Sequence, residues 1–138
     1  MTIKLQIYRC NICGNLVQIL QEGDGNLICC GKEMKLMEIQ YDTDELGEKH
    51  TPKIEIKEGK NFVNVIGHPM NEDHYIQFIE TFTKDKKELH LKFFEPNGVA
   101  EMETWGNNTD INAIEYCNIH YLWGNNKMLK NENEYYSI

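Results

Sequence analysis

Residues 75–82 read YIQFIETF. Apolar and polar side chains largely alternate through that run, which is the period of a strand with one face on a core. Four other runs share the pattern: IEI (54–56), FVNVI (62–66), LHLKFF (89–94) and AEMET (100–104). Gly, Asn, Asp and Pro punctuate them, most plainly in EPNG (95–98). Short alternating strands with turn signals about every ten residues predict an antiparallel β-sandwich or barrel. No stretch shows convincing helical periodicity, and there is no internal repeat.

Upstream of those strands the character of the chain changes. Residues 1–38 read as short strands and turns around Cys10, Cys13, Cys29 and Cys30, with Gly14, Gly23, Gly25 and Gly31 supplying tight turns. Such a segment has too little apolar mass to fold alone. Metal binding would supply much of its folding free energy, on the order of 10 kcal/mol in comparable zinc modules. The organisation expected is therefore a small metal-stapled domain at 1–38, a β domain at 39–126 and a polar, Asn-rich, loosely attached tail at 127–138.

The composition sets limits on function. The 138 residues are 41% hydrophobic and 26% charged, enough for a packed core and a solvated surface. A net charge of −8 argues against nucleic acid, whose phosphates need a basic face. The 14 Lys and Arg are scattered, and the one cluster, KDKK (84–87), fits a solvated turn. No apolar run approaches the roughly 20 residues that span a bilayer, so no membrane partner is expected. The start, MTIKLQIYRC, lacks the pattern of a signal peptide. These features predict a cytoplasmic address, where thiols stay reduced and clustered cysteines serve as metal ligands rather than disulfides.

The five cysteines and four of the five histidines form two candidate metal sets. In the first, Cys10 and Cys13 make a C-x-x-C knuckle closed by Gly14. Cys29 and Cys30 are adjacent, and neighbours ordinarily point to opposite sides, so both can reach one ion only through a strained turn. Four thiolates suit a closed tetrahedral site for either zinc or iron. In the second set His50 (EKHTP), His68 (GHPM) and His74 (NEDHY) lie at strand edges or loops, and Cys117 and His120 lie in C-N-I-H. Positions three apart on a strand face opposite ways, so Cys117 and His120 act together only if the backbone turns between them. An octahedral ion held by these five has one position open, which suits chemistry. His90 alternates with Leu89 and Leu91 in ELHLKF and is read as a solvent-facing strand residue outside the site.

Taken together, YRCNICGN (8–15), CCGKEM (29–34), EKHTP (48–52), GHPMNEDHYI (67–76) and YCNIHYLW (116–123) resemble the desulfoferrodoxin family, the two-iron superoxide reductases, over nearly the whole chain to about Gly124. The resemblance implies a mainly β protein: a small desulforedoxin-like metal-binding domain followed by an immunoglobulin-like seven-stranded β-sandwich. It implies two iron ions per chain, one on Cys10, Cys13, Cys29 and Cys30, the other on His50, His68, His74 and His120 with Cys117 as axial thiolate. Glu48 and Lys49 match the family's active-site pair. The implied reaction takes superoxide, one electron and two protons to hydrogen peroxide, with a rubredoxin-like electron donor and a homodimeric protein. Tyr121 stands where relatives commonly have glycine, and Phe78 where they often have tryptophan.

Other chemistries explain less. The alternative for the same ligands is a non-catalytic iron electron-transfer protein. A blue-copper carrier needs two histidines and one cysteine, fewer than are present here. A zinc-stapled binding module leaves the second set idle.

Overall fold

The structure, a computed structural model, describes residues 1–105 and 111–129. The chain divides into two compact units, one comprising Met1–Glu38 and the other beginning at Ile39. Beyond Leu129 the expected tail lies outside the described residues.

In the first unit β1 (Ile7–Arg9) lies between β2 (Leu16–Gln18) and β5 (Lys35–Leu36), antiparallel to both. A separate hairpin pairs β3 (Ile28–Cys29) with β4 (Lys32–Glu33). The buried apolar side chains here are Ile7, Cys10, Ile19 and Met37. A core this small cannot offset the chain entropy of nearly forty residues, so the unit depends on its cysteines.

The second unit is a β-sandwich of seven described strands. One sheet has the order β10 (Glu101–Thr104), β7 (Lys60–Asn64), β6 (Lys53–Lys57); the other runs β12 (Tyr121–Gly124), β11 (Ile111–Cys117), β8 (Ile76–Thr83), β9 (Leu89–Phe93). All these pairings are antiparallel. Between the sheets, Val63 and Met102 meet Ile76, Ile79, Ala113 and Cys117, with Val65 and Ala100 extending the cluster. Five of the seven strands are those read from alternation. The other two, β11 and β12, carry little polar alternation because β11 is buried at all seven positions and β12 at three of four.

Against the expectation that no stretch is helical, residues 45–50 form α1 (Glu45–His50), six residues long. Periodicity needs two or three turns to show, and this helix has fewer than two. Its start is marked chemically instead, since the Asp44 carboxylate accepts the Gly47 N–H at 2.8 Å. Gly47 is required there because any Cβ would run into the Asp42 backbone. Among the described residues no helix is long and apolar enough to cross a membrane.

Candidate metal centres

The four-cysteine set forms at the edges of two hairpins. Cys10 follows β1, and the loop returns through Gly14, whose N–H bonds the Cys10 carbonyl at 2.9 Å. Cys29 ends β3, and the strained turn expected for adjacent ligands is present, with φ of +54° at Cys30 and +76° at Gly31. Cys13 and Cys29 sulfurs are 3.5 Å apart, those of Cys29 and Cys30 4.0 Å, and all four lie within 4.8 Å of one another. A tetrahedron with metal–sulfur bonds near 2.3 Å has edges of about 3.8 Å, so the set is of the right size. Backbone N–H groups of Cys13 and Ile12 hold the Cys10 thiol down to about 6, while sharing a proton with Cys13 and Cys10 pushes Cys29 up to about 12. Four sulfurs crowded this closely stabilise few negative charges until a cation joins them. All five cysteines are free thiols.

The second set is built by loops at one end of the sandwich. His50 is the last residue of α1 rather than a loop residue, and its Nδ1 faces the Leu46 carbonyl at 2.8 Å. The His68 Nδ1 likewise faces the Pro69 carbonyl at 2.6 Å. A carbonyl only accepts, so both Nδ1 atoms carry the proton and both Nε2 atoms present lone pairs. Those two Nε2 atoms stand 3.1 Å apart. Two buried lone pairs at that separation repel unless a cation lies between them, and two adjacent ligands at about 2.1 Å from a metal would be about 3 Å apart.

The four rings form a near-square. Centroid separations run 4.6 Å for His50–His68, 4.7 Å for His68–His74, 5.1 Å for His74–His120 and 4.8 Å for His120–His50, with 6.5 Å across the His50–His74 diagonal. His74 Nε2 is buried with no hydrogen-bond partner. Cys117 ends β11, and a turn over 118–120 brings the His120 Nδ1 to 3.9 Å from its sulfur. The donor atoms of His50, His74, Cys117 and His120 lie within 4.8 Å of one another, and His68 joins them through His50. The chemistry of this donor set, four nitrogens and one soft sulfur, fits a transition metal and not a hard cation.

Electrostatics favour the ligating form of three imidazoles but not of the thiol. Burial lowers His50, His68 and His74, His68 to about 4, so these rings are neutral near pH 7. Burial pushes the Cys117 thiol up, opposed by the N–H groups of His120 and Ile119. The His120 N–H reaches the sulfur at 3.4 Å. Two residues away on β11, Glu115 is fully buried, neither carboxylate oxygen has a partner, and burial raises it well above the usual range.

Several supporting residues were not singled out from the sequence. The His120 carbonyl accepts from Gln40 Nε2 at 2.7 Å and from the Trp123 indole N–H at 3.0 Å. Trp123 also stacks on His50 with centroids 4.8 Å apart. A buried tryptophan must place its N–H, which is the one signal that pointed to it. Asn118 and Glu45 had no such signal.

Glu48 and Lys49 lie on α1 directly before His50 and are exposed. Lys49 pairs with Glu45 at 3.5 Å, one helical turn back. His90 is exposed on β9 and belongs to neither set. Tyr121 has φ of +70°, the left-handed region that favours glycine. Phe78 stacks on Tyr116 with ring planes 5° apart.

Comparison with known proteins gives a consistent result. Residues 2–37 match the family model described as the desulfoferrodoxin N-terminal domain, and residues 42–126 match the desulfoferrodoxin model. The chain is 43% identical over 125 residues to a desulfoferrodoxin homolog of Archaeoglobus fulgidus, covering 89% of this chain and 98% of that one. It is 42% identical over 122 residues to a desulfoferrodoxin of Desulfarculus baarsii, covering 87% and 94%. In fold it resembles the crystal structure of the superoxide reductase from Treponema pallidum, with a TM-score of 0.65 at 22% identity over 90% of this chain and 98% of that one.

Proposed function

The chain belongs to the desulfoferrodoxin family, and from that premise we propose that it is an oxidoreductase reducing superoxide to hydrogen peroxide. One superoxide takes up one electron and two protons, and no oxygen is released. The observation that carries the reading is the near-square of four imidazoles, those of His50 and His68 buried and those of His74 and His120 half-buried, with the buried Cys117 sulfur beside it. Two irons per chain fit the donors: one on Cys10, Cys13, Cys29 and Cys30, the other on His50, His68, His74, His120 and Cys117.

Ferrous iron bound to the second set would supply the electron and, with five protein ligands, one free coordination position. His50 and His68 offer Nε2 because their Nδ1 protons are committed to carbonyls. Cys117 contributes the one negative charge among the five ligands, and the N–H of His120 moderates its donation. Lys49 draws in the anion: the chain's net charge of −8 is spread over its surface, and charges beyond a Debye length of about 8 Å are screened. Lys49 also holds a proton-donating water near the site. Glu48, on α1 two residues before His50, would offer a carboxylate oxygen to the metal.

A rubredoxin-like protein as electron donor and a second copy of the chain as partner follow from the family resemblance. A cytoplasmic address agrees with five free thiols. The test is metal analysis followed by exposure to pulsed superoxide. About two irons per chain, with peroxide formed one-for-one and no oxygen evolved, is the expected result. Copper or zinc as the sole metal would overturn the reading, and two irons inert to superoxide would leave a non-catalytic electron carrier. Lys49→Ala is expected to slow the reaction with both irons retained.

A further inference from the structure

The ligands of the histidine–cysteine set are anchored in two ways, His50 and His68 through their rings and the others through their backbones. His50 is fixed by α1 and the Leu46 carbonyl, His68 by the Pro69 carbonyl, and His120 by Gln40 and Trp123 acting on its backbone. Cys117 is fixed by the β11 ladder. Among the described residues no hydrogen bond holds the His74 ring, which only packs against the rings of His68 and His120, so its place is decided chiefly by its backbone.

That backbone is held at both ends of a three-residue segment by a single side chain. The Tyr75 N–H donates to Asn118 Oδ1 at 2.9 Å, and Asn118 Nδ2 donates to the Asp73 carbonyl at 3.0 Å. The Asn118 N–H adds a third bond, to the Tyr75 carbonyl at 3.2 Å. His74 sits between the two residues so held, while Asn118 immediately follows Cys117 and begins the turn to His120. The β8–β11 register shifts between Tyr116 and Cys117, so regular strand pairing is interrupted where the ligands must be aligned. Within its own loop His74 is shaped by Asn71, whose Oδ1 accepts the His74 N–H at 2.9 Å. Asn71 fixes the shape of the loop, but nothing in that local turn relates it to Cys117.

We propose that Asn118 is a positioning residue for the metal, a strut that sets His74 against Cys117 and His120. The inference rests on the reading of this set as a metal site. The primary amide of Asn118 presents its acceptor and its donor on two separate atoms of one planar group, which lets it reach both partners at once. Aspartate keeps the acceptor for Tyr75 and loses the donor for Asp73, and alanine loses both. With the strut gone the three-residue segment drifts, and one corner of the square moves with it. Changes to groups that orient metal ligands typically weaken binding by about 10–100-fold.

The experiment uses the full-length protein stripped of metal and titrated with cobalt(II) against a competing chelator, followed by visible absorption. The four-cysteine set is the internal control. Asn118→Ala is expected to weaken cobalt binding at the histidine–cysteine set by at least about 10-fold, and to shift its sulfur-to-cobalt band, with the four-cysteine set unchanged. Asn118→Asp is expected to fall between alanine and native. Native affinity and an unshifted band in Asn118→Ala overturn the proposal, as does an equal loss at both sets, which marks general unfolding. If Asn118→Ala does not fold, Asn118→Asp decides, and native binding there overturns it. A native chain that binds cobalt only through its cysteines overturns both this inference and the assignment of the site, whereas a superoxide assay that fails with metal bound touches the proposed function alone.

Discussion

The two metal sets are held by opposite means. The four cysteines sit in a unit whose buried apolar residues number four, so the sulfurs and their ion organise the backbone around them. The histidines and Cys117 sit at the end of a sandwich whose core includes Val63, Ile76, Ile79, Ala113 and Cys117, all with no exposed surface. There the fold organises the ligands. A site that makes its own scaffold has little freedom to be incomplete, whereas a site carried by an independent core can leave a position open.

Chelation is the strongest way to break that comparison. Removing both metals is expected to abolish amide-exchange protection across residues 7–36 while the sandwich strands keep theirs. Equal loss in the two units would show that the sandwich also depends on metal. Next in size, Ile79→Ala empties part of the sandwich core and is expected to cost about 2–5 kcal/mol by denaturant titration. The absorption of the four-cysteine metal should be unchanged, and its loss would mean that the units unfold together.

Protonation sharpens the contrast. His68 falls to about 4 and His50 and His74 are also lowered, so the unfolded chain binds more protons than the folded one between about 4 and the unfolded value near 6.5. Stability of the metal-free sandwich is therefore fully present above about 6.5 and is lost as pH falls towards 4. Thermal melts across that window check it, and a flat profile would mean that the imidazoles are solvated. Glu115 works in the reverse direction: its raised value means that stability falls as pH rises above the unfolded carboxyl value. Glu115→Gln is accordingly expected to stabilise the sandwich at neutral pH, by about 1–3 kcal/mol. Smallest is the exposed Lys49–Glu45 pair, worth under about 1 kcal/mol. Glu45→Gln leaves Lys49 uncompensated and is expected to raise the superoxide rate about twofold at low salt, with the gain vanishing as salt screens it.

Much of this was legible in advance, for identifiable reasons. Five of the strands that form the sandwich advertise themselves by alternation of polar and apolar residues, a contrast that burial follows plainly in β7 and β10. β11 and β12 are buried on both faces and carry no such contrast. α1 escaped because it is too short to show a period, and with it the fact that His50 closes a helix. The turn needed between Cys117 and His120, and the strain needed at Cys30, followed from the geometry of adjacent ligands and are present. Gln40 was not legible, because its role depends on an encounter with a carbonyl 80 residues away. Asn118 was hidden similarly: its partners lie 43 and 45 residues back along the chain.

The tautomers fixed by Leu46 and Pro69 bear on the order in which the chain fills with metal. The imidazoles of His50 and His68, already neutral with Nε2 turned towards each other, give up no protons when a cation arrives, whereas the Cys117 thiol must release its own. The sulfur set must shed the protons that Cys29 and Cys30 hold above the usual thiol range. Mild acidity therefore penalises filling of the cysteine set more steeply than that of the histidine set.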